Sequence, residues 1–179
     1  MTDPFVLAFV PGVTPAKWIG VWRERMPRTP IDPRPLLQDE ALQSLRDGTA
    51  AAAIVRLPVA DDGLSVIPLY NEVTVVVAAK DHPIAAFESL TLAELADEHV
   101  LDGQDAAAVE LVAATDSIAI MPHSLARLHS RKDVVARPVA DAPETRVGLV
   151  WLETRTTPLV EEFVGIVRGR TANSSRGKR

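Results

Sequence analysis

"DEALQSLRDGTAAAAIVRLP", residues 39–58, changes rhythm halfway along. Up to Gly48 the apolar residues Leu42 and Leu45 recur at helical spacing, and the glycine supplies a stop. From Ala50 the pattern becomes an apolar run, interrupted only by Arg56 before Leu57-Pro58, as expected of a strand buried on both faces. A helix feeding straight into a buried strand is half of a βαβ unit. The same alternation recurs on both sides, and it predicts an α/β fold with a largely parallel sheet.

Upstream, "PFVLAFV" (4–10) is another buried strand, closed by Pro11-Gly12. Thr14-Pro15 reads as a helix start, a hydroxyl cap with proline at the first helical position. That helix runs to about Met26 with Ile19, Trp22 and Met26 on one face, and Pro27 and Pro30 close it. "IDPRPLL" (31–37) is extended. Pro33 and Pro35 lack amide hydrogens on one side, which places the strand at a sheet rim.

Downstream, "DDG" (61–63) is a turn between strands, and "LSVIPLY" (64–70) and "EVTVVVAA" (72–79) are extended. "DHPIA" (81–85) breaks the pattern and "SLTLAELADE" (89–98) predicts a capped short helix. "EHVLDGQDAAAVELVAATDSIAIMP" (98–122) packs strand, turn, helix and strand into little chain. A helix over His123–Ser130 follows, then the strands "DVVARPV" (133–139) and "RVGLVWLE" (146–153). A last amphipathic helix, Pro158 to about Val167, turns Leu159, Phe163 and Ile166 or Val167 inward. There is no internal repeat and no Pro/Gly/Ser-rich linker.

Composition narrows the function classes. With 179 residues, 47% hydrophobic and 24% charged, the chain can bury a core and is not expected to be disordered. No apolar run approaches the roughly 18 residues of a membrane span. The absence of cysteine excludes disulfides and thiolate metal sites. An acidic N-terminus without a cleavage-type segment predicts a cytoplasmic protein. The stretch 169–179 carries Arg170, Arg176, Lys178 and Arg179 and reads as a disordered basic tail. Without those four the body holds 15 basic against 24 acidic residues, near −9, so direct DNA binding by it is not expected.

Six phrases in order resemble the effector-binding domain of LysR-type transcriptional regulators: "WRERMP", "LQSLRDGTAAAAIVRLP", "GLSVIPLYNEVTVVVAAKDHPIA", "LTLAELADEHVL", "LVAATDSIAIMPHSLARL" and "GLVWLE". Together they span residues 5–168. The resemblance implies a two-lobed type 2 periplasmic-binding-protein fold, with lobe I over 1–79 and 146–168 and lobe II over 80–145. Lys80-Asp81-His82-Pro83 and Thr145-Arg146 would mark the crossings. Two departures are expected from the family pattern. Met1 begins four residues before the first strand, so the winged helix-turn-helix is absent. Between "EHVL" and "IAIMP" a helix and a strand are missing, which shortens lobe II.

Ligands of open α/β sheets sit beyond the carboxyl ends of strands. The inter-lobe candidates are therefore Thr14, Arg56 for a carboxylate, Gly103 followed by Gln104, and His123 with Ser124. Thr14 is equally a simple cap, Arg56 a surface ion pair, and His123 a surface residue at a helix start. Asp116 would disfavour an anion nearby. His82, His99, His123 and His129 show no i,i+4 pair, so neither metal nor cofactor is expected. Ser44 and Ser117 lack G-x-S-x-G context, no phosphate-binding glycine motif occurs, and Asp61-Asp62 and Glu161-Glu162 read as solvated acids. An enzyme is not expected.

Trp18 lies at the margin of the first helix's buried face, a candidate partner anchor or a core residue. Family members pair antiparallel through that helix, and the shortened lobe II would lack its counterpart, leaving docking onto another protein open. A non-catalytic regulatory protein acting through a protein partner, such as a transcriptional regulator, is favoured by Trp18, the shortened lobe and the absent DNA reader. A stand-alone sensor of a carboxylate or aromatic metabolite is favoured by Arg56. A transport solute-binding protein is disfavoured by the missing leader.

Overall fold

The structure, a computed structural model, describes residues 3–60 and 63–171. The chain divides into two compact units, Met1–Tyr70 with Val147–Arg179, and Asn71–Arg146.

The first unit is built on a five-stranded sheet ordered β2-β1-β3-β8-β4. Its strands are β1 (Phe5–Phe9), β2 (Ile31–Pro35), β3 (Ala52–Leu57), β4 (Leu64–Glu72) and β8 (Thr145–Leu152). Helix α1 (Ala16–Arg25) connects β1 to β2, and α2 (Gln38–Asp47) connects β2 to β3. β1 runs parallel to both neighbours, Leu7 pairing with Pro33 on one side and with Ala52 on the other. β2 is an edge strand, as its prolines require. The Leu36 amide donates to the Phe9 carbonyl, so amides of even-numbered β2 residues face β1. Ile31, Pro33 and Pro35 therefore turn outward, where two of the three have no N–H to offer.

The core of this unit centres on three rings. Phe5 stacks on Trp22 at 4.6 Å, and Phe163 of α5 (Pro158–Val167) lies 5.2 Å from Phe5 and 5.9 Å from Trp22. Trp22 is fully buried, and its indole N–H donates to the Thr29 carbonyl at 2.8 Å. That bond answers the polar cost of burying the ring. Around them pack aliphatic residues of the sheet and of α2, including Leu7, Leu45, Ile54 and Leu149.

The second unit has a three-stranded sheet ordered β6-β5-β7: β5 (Thr74–Ala79), β6 (Ala119–Pro122) and β7 (Val134–Pro138). β5 pairs antiparallel with both neighbours. Its continuous apolar run reflects cover on both faces. Val75 and Val77 meet Val109 and Val112 of α3 (Ala106–Ala114), together with Met121 and Leu125, the latter from α4 (His123–Leu128). Val76 and Ala78 meet Ile84, Leu90, Leu95, Ile118 and Val139 on the other face.

The stretch 98–122 closes a miniature crossover. Val100 and Ile118 form a single parallel bridge, with Leu101 N to Ile118 O at 2.8 Å and Ile118 N to His99 O at 2.9 Å. A parallel connection needs at least ten to twelve residues to return, and the loop containing α3 supplies them. Asp105 starts α3 by accepting the Ala108 amide at 2.9 Å. Gly103, at φ +131, sits in a region that side chains avoid, and a Cβ there would meet Ala108 Cβ at 3.2 Å.

Several expectations require correction. In the first sheet the β2-β1-β3 ladder is parallel, whereas the three-stranded second sheet is antiparallel, because β5 enters between two strands that both return against it. The first boundary between units falls at 70/71 rather than 79/80, since β5 is the centre of the second sheet. His82 is consequently no crossing residue. It is buried, accepts the Ile84 amide at 3.2 Å and lies 3.4 Å from Glu98. The helix expected in 89–98 is one 3₁₀ turn, Ala93–Leu95, and the strand expected at "EHVL" is only the Val100 bridge.

At the C-terminus, α5 buries Val160, Phe163, Val164 and Ile166, while Leu159 and Val167 are half-buried. Glu162 is not simply solvated, because it pairs with Arg25 at 3.6 Å. The expected disordered tail begins as ordered chain: the Arg170 amide donates to Gly165 at 2.9 Å and its carbonyl accepts from Arg25. Residues 172–179 of that tail, and Asp61-Asp62, lie outside the described residues.

Candidate functional site

In the first unit the parallel register brings two sequence-predicted residues to the same end of adjacent strands. Phe9 pairs with Ile54, and the Val10 amide donates to the Ile54 carbonyl at 3.1 Å. The β1–α1 turn carrying Thr14 and the end of β3 carrying Arg56 therefore lie together at the carboxyl edge of the sheet. Gly12, at φ +85, makes the turn possible.

Thr14 does not cap α1. Pro15 occupies the cap position and its carbonyl takes the Trp18 and Ile19 amides. The Thr14 hydroxyl, one residue too early to reach those amides, is left exposed at the strand end.

Arg56 is half-buried, and its main chain is held from both sides by one amide group. Gln38 Nε2 donates to the Arg56 carbonyl at 2.6 Å, and the Arg56 amide donates to Gln38 Oε1 at 3.1 Å. Gln38 opens α2 just past the edge strand, so it fixes where Arg56 leaves the sheet. Sequence periodicity gave no sign of this role, because the two residues are 18 apart and belong to different elements. Glu40 contributes nearby by accepting the exposed Leu37 amide at 2.9 Å, a side-chain cap for α2.

In the second unit Gln104 Nε2 donates to the Ile120 carbonyl at 3.2 Å, which tethers the Gly103 turn to β6. At the far end of β6, the His123 amide donates to Val73 O at 2.9 Å while its imidazole is exposed. Ser124 donates its hydroxyl to Glu72, a buried carboxylate missed in the sequence reading. Ser117 is buried and lies 2.9 Å from His99 Nδ1, while Asp116 is exposed.

Trp18 is half-buried and packs on the first unit's core. Its ring is therefore partly committed to folding. Electrostatically, the resolved perturbations lie elsewhere: Arg131 holds the Asp133 carboxyl below its ordinary range, chiefly by a side-chain hydrogen bond at 2.9 Å, and is itself raised. Among the described residues no group of three or more His, Asp or Glu is placed to hold a metal, and no helix is long and apolar enough to cross a membrane.

Comparison with known proteins gives a consistent picture. The family described as the LysR substrate binding domain matches residues 7–106 and 103–172. The Hca operon transcriptional activator HcaR of Escherichia coli (strain K12) is 23% identical over 188 residues, an alignment covering 88% of this chain and 63% of the activator. The chain thus spans less than two thirds of that relative. Among solved structures, the BenM effector binding domain with its effector benzoate has a TM-score of 0.77 at 17% identity, covering 99% of this chain and 96% of that one. A mutant OxyR regulatory domain from Pseudomonas aeruginosa has a TM-score of 0.71 at 20% identity, covering 96% and 100%. At these identities the two structures establish the fold, the two-lobed architecture of periplasmic-binding-protein type.

Proposed function

The chain belongs to the LysR substrate binding domain family, and from that premise we propose that it is a non-catalytic regulatory domain that senses a small carboxylate-bearing molecule. One observation carries this reading: Thr14 and Arg56 stand together at the carboxyl edge of β1 and β3, with the Arg56 backbone clamped by Gln38. Guanidinium is suited to a carboxylate by its paired donors, and a strand-end arginine with a fixed backbone is pre-organised for that contact. The structurally similar BenM domain binds benzoate, an aromatic carboxylate, which makes benzoate the natural first probe. Lobe I then corresponds to the unit containing β1–β4 and β8; in the other unit Gly103, His123 and Ser124 are proposed ligand contacts of that unit by itself.

The test is thermal stabilisation by benzoate and a panel of related acids. Wild-type protein should be stabilised by at least one of them, and Arg56→Ala should remove that gain while leaving the unliganded melting temperature nearly unchanged. Equal stabilisation of Arg56→Ala would overturn the assignment.

A second reading, regulation through a protein partner, has its own support. The two family matches meet at 103–106, where a helix and a strand of the family pattern are proposed to be missing. The helix that follows exposes Ala107, Leu111 and Ala114 beside Glu110, Leu111 to 54%. Leu111→Lys should abolish co-purification of such a partner without affecting acid-induced stabilisation.

A further inference from the structure

The first unit contains a recess of about 210 Å³ at the opposite end of the sheet from Thr14 and Arg56. It opens between the start of β1 and β3, the end of α2 and the start of α5. Its floor is aliphatic, formed by Val6, Leu45, Leu152 and Val160. Arg155 is the sole ionisable residue in its lining, in a protein of formal net charge −5.

Arg155 lines the recess close against an unusual neighbour. Gly48 ends α2 at φ +74, and a Cβ on it would lie only 1.7 Å from Arg155 Nη1. The guanidinium thus occupies the space that any other residue at 48 would fill. Among the described residues no carboxylate pairs with it within 4.0 Å. The Thr157 hydroxyl, also in the lining, accepts the Val160 amide at 3.3 Å and keeps its own proton to donate.

From this geometry we infer a second binding site, for a short aliphatic monocarboxylate, in the recess between α2 and α5. Guanidinium and the Thr157 hydroxyl take the carboxylate, and the aliphatic floor takes the tail. The volume admits roughly six to eight heavy atoms, the size of butyrate rather than of an aromatic acid with substituents. The site is contained within one unit and does not depend on the effector reading above.

Butyrate is the probe, titrated into ¹⁵N-labelled full chain with n-butylamine as a control of equal tail and opposite charge. Butyrate should saturate with a dissociation constant on the order of 1 mM. It should shift the amides of Thr49, Ala50, Ala51 and Thr157, and butylamine should not. Arg155→Gln should weaken binding roughly tenfold or more, Arg155→Lys less, because lysine keeps the charge but loses the paired donors. Arg56→Ala should leave these shifts intact, which separates this site from the first. Absence of saturable shifts, equal response to butylamine, unchanged binding in Arg155→Gln, or shifts centred on residues 12–14 and 56 would each overturn the site.

Discussion

The two units solve the same packing problem with different materials. Seven of the eight aromatic residues belong to the unit of Phe5, Trp22 and Phe163, and the other unit has only Phe87, which is 49% exposed. The first core is therefore keyed by large rings in mutual contact. The second is assembled from valine, alanine, leucine, isoleucine and Met121 on both faces of β5, supplemented by polar ties. Arg137 exemplifies those ties: its guanidinium donates to Ala85 O at 3.0 Å and Phe87 O at 2.7 Å, fastening the 83–87 segment to β7. Small side chains bury less area each and lock fewer neighbours. The comparison implies that the Asn71–Arg146 unit opens locally at lower free energy.

The sharpest way to break the comparison is Phe163→Ala. Removing a fully buried ring from the aromatic trio should cost about 3–5 kcal/mol, read as a drop in denaturation midpoint. Native-state hydrogen exchange should show lost protection in β1 and β3 with β5 and β6 largely spared. Uniform loss across both sheets would mean that the units unfold as one body.

A smaller effect is expected at the tie. Arg137→Met keeps most of the stem and removes the fork, costing on the order of 1–2 kcal/mol at this half-buried position. Faster exchange should be confined to 83–90 and β7. Loss of protection in the first sheet would contradict local opening.

The smallest effect concerns Asp133. Its carboxyl is held below the ordinary range chiefly by the hydrogen bond from Arg131, so folding favours its ionised form. That contribution is present above the unfolded carboxyl value near ~4 and is lost as pH falls through the lower folded value. Both side chains are exposed, so Asp133→Asn should lower the melting temperature only slightly at neutral pH, and the gap should close on acidification below about pH 4. A gap that widens with acid would reverse the sign.

How much of this was legible in the sequence depended on the kind of cause. The βαβ frame of the first unit came through because Gly48, the prolines of β2 and the buried runs act locally. So did the compressed crossover, whose helix and flanking apolar residues stand in one short stretch. Thr14 and Arg56 could be placed because strand ends follow from strand pattern. What escaped was non-local. The antiparallel insertion of β5 depends on which strands come back beside it, and an apolar run reads alike in either direction. Gln38 reaching Arg56, Ser124 reaching Glu72 and His82 beside Glu98 join residues whose spacing carries no periodic signal. Thr14 as a cap failed by a single residue, because Pro15 took the position itself.

The two outward prolines of β2 also bear on how this protein behaves when concentrated. An uncapped sheet margin is a template for recruiting further polypeptide, and fibrillar growth needs a regular row of donors along it. With Pro33 and Pro35 in that row, an incoming strand would find two gaps where hydrogen bonds must form. The rim therefore discourages templated stacking through chemistry that no buffer can change. Replacing both prolines with valine would leave the fold's interior as it is and remove its guard against fibre formation.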